Sequence, residues 1–136
     1  VVDLHQMFKF HEGGPVIHRQ GTTKRYSDST SFNGVVYLVE VPSMEEGDIQ
    51  AQTRDLLSCL ERTMAGAGTD KSRLLLVQVY LTNMARDYEG FNSVWDAWLP
   101  EGAAPSRACV EVKGLAKPGW KVELVVTAAV NPDLLA

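Results

Sequence analysis

A chain of 136 residues with 45% hydrophobic and 22% charged content has the composition of a soluble globular protein, and its length fits one domain with a sizeable core. Its net charge of −4 offers no basic footprint for phosphate backbones, which argues against nucleic acid as a partner. No apolar run approaches the roughly 18–20 residues of a membrane span, and the two cysteines, Cys59 and Cys109, stand in unlike contexts, so a reduced, cytoplasmic protein is expected.

The opening residues VVDLHQMFKFHEGG lack a basic region followed by a continuous apolar block, so they do not read as a secretory signal. Residues 1–15, ending in Gly13-Gly14-Pro15, read as a flexible lead-in with no assigned function, and residues 16–136 as a single domain. His5, His11 and His18 fall in no zincin or Cys/His spacing, so neither a metal nor another cofactor is expected.

From Val16 the chain is rich in Ser and Thr, with Gly21 as a turn, and Asn33-Gly34 marks a tight hairpin before a strand over Val35–Val41. Pro42 and Gly47 bracket a loop, after which Asp48 is placed to cap a helix whose Ile49, Thr53, Leu56, Leu57, Leu60 and Met64 share one stripe. Gly66 or Gly68 ends it. Leu74–Leu81 (LLLVQVYL) predicts a central strand buried on both faces apart from Gln78, following the helix at the distance a βαβ crossover requires. Asp87 is placed to cap a second helix with Tyr88, Phe91, Trp95 and Trp98 on one face, stopped by Pro100 and Gly102. Two helices cannot cover both faces of five or six strands, so the class is α+β with the helices on one side. The apolar character of Leu74–Leu81, Leu124, Val125 and Val126 predicts burial of the other face in a homo-oligomer.

The last two strands carry charges that a core strand has no structural use for. Arg107–Val112 alternates, with Ala108, Val110 and Val112 on one face and Arg107, Cys109 and Glu111 on the other. Val122–Val130 is apolar almost throughout but holds Glu123, and the Gly- and Pro-bearing segment between the two runs predicts an antiparallel hairpin. With Val112 facing Trp120, Cys109 faces Glu123 and Arg107 faces Val125. Arg107 and Glu123 then lie diagonally on one sheet face, roughly 7–8 Å apart at the backbone, close enough to converge on one small molecule.

The block Pro105-x-Arg107-Ala-x-Val-Glu-Val112, the strand Val122-Glu-Leu-x-Val-x-Ala-Ala129 and the helix motif Asn92-x-x-Trp95-x-x-Trp98 resemble the Rid/YjgF family of enamine/imine deaminases, also called L-PSP endoribonucleases, over about Lys24–Val130. The resemblance implies a chorismate-mutase-like mixed sheet of about six strands with two helices on one face, assembled as a homotrimer with clefts between subunits. It implies that Arg107 binds a substrate carboxylate, that Glu123 holds the attacking water, and that the Cys109 backbone lines the cleft. It implies hydrolytic deamination of reactive 2-enamine or 2-imine carboxylates to 2-oxo acids and ammonia. The chain departs from the family where Leu38-Val39-Glu40 stands in place of Ser-Gly-Gln, which puts a side chain where backbone would approach the ligand. Tyr37 and Val39 are counted with Cys109 and Tyr26 among the substrate-binding positions, Tyr26 being an approximate counterpart of a tyrosine in the family's N-terminal arm.

Blander readings stand beside these. Arg107 could be a rim charge paired with Glu111 or Glu123, Glu123 a salt-bridge partner, Cys109 a small buried hydrophobe, and Tyr26 an edge-strand residue. Trp95 and Trp98 read as packing. Two functional alternatives are a pathway-specific enzyme such as a 2-aminomuconate deaminase, and a carboxylate-binding or chaperone-like protein without turnover.

Overall fold

The computed structural model describes residues 10, 11 and 14–135, so most of the expected lead-in, His5 included, lies outside the described residues. Apart from a short antiparallel pairing of Phe10–His11 with Gly14–Pro15 and 3-10 turns at Lys71–Arg73 and Pro132–Leu135, the elements are β1 (His18–Gln20), β2 (Ser29–Phe32), β3 (Val35–Glu40), α1 (Ile49–Gly66), β4 (Leu74–Leu81), α2 (Met84–Trp98), β5 (Ser106–Glu111) and β6 (Val122–Ala129). Asn33 and Gly34 both have positive φ (51° and 80°), the backbone of a two-residue turn whose twist suits a hairpin, and β2 and β3 pair across it from Phe32↔Val35 onward.

The Asp48 carboxylate accepts from Ala51 N at 2.9 Å and caps α1 as expected. The second helix starts earlier than expected. Asn83 is its cap, its Oδ1 accepting from Arg86 N at 3.0 Å. Asp87 instead sits buried inside the first turn, held by both Nε and an Nη of Arg86 at 2.7 Å.

The six strands run in the order β1-β2-β3-β6-β4-β5, antiparallel throughout except for the parallel pair β4/β5. This order corrects the expected hairpin of the last two strands, because β4 lies between them. The helix α2 carries the chain from β4 to its parallel neighbour β5, as a parallel pair requires. The segment 112–121 then passes the end of β4, with Val112 N donating to Leu81 O (2.9 Å) and Thr82 N to Lys121 O (3.2 Å). Its glycines and prolines make a crossing loop rather than a turn. The strands β3 and β4, joined through α1, are likewise parallel but separated by β6, a split βαβ unit.

Both helices cover the same face of the sheet. Val36 and Leu38 of β3, Val77, Val79 and Leu81 of β4, and Val122, Leu124, Val126 and Ala128 of β6 are all buried against Leu56, Leu57, Leu60, Met64, Phe91 and Trp95. The residues between them face the other way. Phe32, Tyr37, Val39, Leu76 and Val110 are exposed there, so in one chain β4 is buried on one face only, contrary to expectation.

Gln52, fully buried in the first half of α1, joins the helix to the crossing loop. Its Nε2 lies within 3.2 Å of Glu45 O and Glu46 O and 2.9 Å of Gly119 O, while its Oε1 accepts from Lys121 N at 2.8 Å. Replacing it by an apolar residue of similar size orphans these groups, and each buried orphan costs about 1–3 kcal/mol. Gln52→Leu is therefore expected to lose about 3 kcal/mol or more in denaturant unfolding, even though it adds apolar surface to the core.

Candidate active site

Arg107 stands on β5, at the edge of the sheet, directly beside Val77 of β4. Cross-strand neighbours share a face, so Arg107 lies on the helix-covered side with Val77, and Cys109 with Val79. The predicted alternation of β5 holds, but it is the row of Arg107 and Cys109 that faces the helices, while Ala108 and Val110 face outward. The guanidinium carbon is 5.7 Å from the ring centre of Phe91, 5.9 Å from Trp95 and 6.0 Å from Tyr88, within cation–π range of all three. Its Nη2 reaches the Tyr88 hydroxyl at 3.5 Å. It makes no ion pair among the described residues, and the rim partner Glu111 instead accepts from Met84 N at 2.9 Å, at the start of α2.

Beside Arg107 opens a cleft of about 310 Å³, walled by Asn92, Trp95, Asp96, Leu99, Ala104 and Pro105. Asn92 Oδ1 is buried there without a hydrogen-bond partner. A fixed cation with an open fork suits a planar anion, and the unpaired Asn92 oxygen beside it can only accept from a donor on the same ligand. Tyr88 and Asn92 had no assigned role in the sequence reading. The signal for Asn92 was present, because it interrupts an otherwise aromatic helical stripe. Cys109 packs against the core, and burial pushes its thiol above its ordinary pKa, more than the nearby Arg107 lowers it.

Glu123 lies elsewhere. It is paired with Tyr80 and points to the open face, two strands from β5, and Val110, not Arg107, is at its level on β5. Two strand spacings and three residues of rise separate Arg107 and Glu123 by on the order of 14 Å, on opposite faces of the sheet. The expectation of one shared face is thus corrected, and its cause is the insertion of β4. Val39 is opposite Val125 and Tyr37 opposite Thr127, both on the open face with Glu123. Tyr26, 64% exposed, sits in the Gly21–Asp28 loop that leads into β2 at this same end of the sheet. Burial raises the Glu123 carboxyl above its ordinary pKa.

The six expected site residues thus form two groups. Arg107 and Cys109 lie on one face of the edge strand; Glu123, Val39 and Tyr37 lie on the other face, with Tyr26 near their end of the sheet.

The model of the endoribonuclease L-PSP family matches residues 16–130. The chain belongs to this family, the Rid/YjgF or RutC family. A RutC family protein of Haemophilus ducreyi is 44% identical over 117 residues, covering 85% of this chain and 98% of that protein. The 3-aminoacrylate deaminase RutC of Acinetobacter baylyi is 30% identical over 112 residues, covering 77% of this chain and 86% of that enzyme. Among solved structures, a YjgF family member from Neisseria meningitidis matches with a TM-score of 0.81 at 41% identity, covering 85% of this chain and 96% of that one. The fold is the α+β architecture of the Rid/YjgF family. Among the described residues no helix is long and apolar enough to cross a membrane.

Glu40, at the position where the chain departs from the family pattern, shares the helix-covered row of β3 with Val36 and Leu38, and its carboxylate accepts from the Thr63 hydroxyl of α1 at 3.2 Å. Burial raises its pKa, more than the Thr63 bond lowers it. A folded-state pKa above the unfolded one means that this group's contribution to stability is fully present below the unfolded value and is lost as pH rises through the folded value. Glu40→Gln keeps an acceptor for Thr63 and removes the buried charge. It is expected to raise Tm at neutral pH and to flatten the fall in stability between pH 4.5 and neutrality, read by thermal unfolding across that range.

Proposed function

We propose that this Rid-family protein hydrolyses reactive 2-imine or 2-enamine carboxylates to 2-oxo acids and ammonia, at clefts completed by a second copy of the chain. The observation that carries the reading is the Arg107 guanidinium, stacked on aromatic rings at a cleft mouth and free of any carboxylate partner among the described residues. The deaminase relative from Acinetobacter baylyi supports it. Because Arg107 and Glu123 lie on opposite faces of one subunit, the pair can act on one small substrate only if Arg107 and Cys109 of one copy meet Glu123, Val39 and Tyr26 of another. The exposed apolar row Phe32, Tyr37, Val39, Leu76 and Val110 is the surface such an assembly would cover, and we take the assembly to be a trimer.

In this mechanism Arg107 holds the substrate carboxylate by two parallel N–H bonds and so fixes C2 of the imine. Glu123 accepts a proton from a water molecule as its oxygen bonds to C2 and passes that proton to the imine nitrogen, giving a neutral tetrahedral carbinolamine. Glu123 then takes the hydroxyl proton and delivers it to the amine nitrogen as the C–N bond breaks, so that ammonia leaves, the C2 carbonyl forms and the carboxylate is restored. A carboxyl whose pKa is raised by burial is the better proton acceptor for this step. An enamine substrate reaches the same intermediate by protonation at C3.

Purified protein is expected to accelerate ammonia release from 2-iminopropanoate generated in situ by an amino-acid oxidase. Arg107→Ala and Glu123→Gln should each lower kcat/KM by about 100-fold or more, the usual scale for positioning and proton transfer. Unchanged turnover in Arg107→Ala would sink the mechanism, whereas carboxylate binding without hydrolysis of any imine would favour a ligand-binding role. Leu76→Lys or Val110→Lys, placing a cation on the open face, should convert the assembly to monomers in sedimentation velocity and abolish turnover with it.

A further inference from the structure

We propose that Val39 limits the size of the substrate, forming the wall against which the substituent on C2 packs, so that the protein acts on 2-imino acids with short, uncharged side chains. The inference rests on the deaminase reading above, in which Glu123 faces C2. Val39 is paired with Val125, and Glu123 is two residues before Val125 on the same face, so Val39 and Glu123 are diagonal neighbours on adjacent strands. Their backbones are roughly 7–8 Å apart, within reach of both side chains. Val39 is half exposed, so its methyl groups are surface that a ligand at Glu123 meets. A β-branched side chain on a strand has little rotamer freedom with which to move aside.

The other neighbours of Glu123 add to the same wall. Val125 flanks it along β6, and Tyr80 stands directly opposite on β4 with its hydroxyl engaged by Gln78 Oε1 at 3.2 Å. No cation pairs in register with these positions. The Gly21–Asp28 loop at this end of the sheet carries Lys24 and Arg25, and its shape is fixed by Thr23 Oγ1 accepting from Arg25 N and Tyr26 N at 3.2 Å. These two cations define the competing outcome, a second carboxylate on the substrate. Apolar walls of this kind discriminate by roughly 10-fold or more per methylene.

The test is calorimetric binding of three 2-oxo acids, the products of the proposed reaction, to the wild-type assembly and to Val39→Ala, Val39→Gly and Arg107→Ala. Wild type is expected to bind pyruvate at least about 10-fold more tightly than 4-methyl-2-oxopentanoate or 2-oxoglutarate. Val39→Ala should shrink the ratio between pyruvate and the branched acid by about 10-fold, and Val39→Gly should do the same if it folds; Arg107→Ala should abolish binding of all three. Equal affinities in wild type, a ratio unmoved by Val39→Ala, or tightest binding of 2-oxoglutarate would overturn the role of Val39 while leaving the carboxylate site intact. Absence of binding by every 2-oxo acid, or binding indifferent to Arg107→Ala, would overturn the site itself and this inference with it.

Discussion

The strict alternation of β6 is the constraint on which the rest depends. Val122, Leu124, Val126 and Ala128 are buried under the helices, while Glu123, Val125, Thr127 and Ala129 face the other way. A slip of one residue would drive Glu123 into an apolar core and expose four buried side chains, so the register is strongly specified. β6 is also paired on both sides, to β3 and to β4, and this couples Glu123 to Val39 through one ladder and to Tyr80 through the other. The position of the carboxylate is thus a by-product of core packing.

Arg107 is positioned by the opposite circumstance. An edge strand has one neighbour, so its helix-facing row meets only the aromatic stripe of α2, and a guanidinium can lie along those rings with its fork still free. Deeper in the sheet the same charge would have to be desolvated and paired. The two groups thus differ in their setting: Glu123 falls in the uncovered row of a strand whose other row is core, and Arg107 in the covered row of an edge strand under a single helix.

Much of this was legible in the sequence. Helix α1 and its Asp48 cap, the Asn33-Gly34 turn and the strand Leu74–Leu81 follow from local periodicity and turn chemistry, which act over a few residues. The alternation of Arg107, Cys109 and Glu111 was legible too. Which row faced the core was not, because Ala108 and Val110 are the more apolar set and a period of two does not distinguish a covered face from one left for another copy. Strand order was equally hidden. Nothing local in residues 112–121 distinguishes a wide turn from a crossing of β4, since the parallel pairing of β4 with β5 is decided by α2 and the whole sheet. The start of α2 was misplaced for a simpler reason: Asn83 and Asp87 are both good caps, and burial of Asp87 with Arg86 decides between them.

On the proposed reading, the two groups would also tie catalysis to assembly through electrostatics. In a single chain only burial acts on Glu123, and it raises the pKa. A guanidinium brought up by a second copy acts the other way: at an effective dielectric of about 20, unit charges 4 Å apart interact by roughly 4 kcal/mol, and 8 Å apart by roughly half of that. An unliganded Arg107 brought close in such an assembly would oppose the effect of burial and favour the ionised carboxylate, the form that takes a proton. A substrate carboxylate on the guanidinium would make the pair close to neutral and remove that lowering effect, leaving desolvation to dominate. The proton affinity of Glu123 would then rise when a substrate is in place to be attacked. Neither half of this cycle is available to a chain whose cation and carboxylate stand on opposite faces of its own sheet.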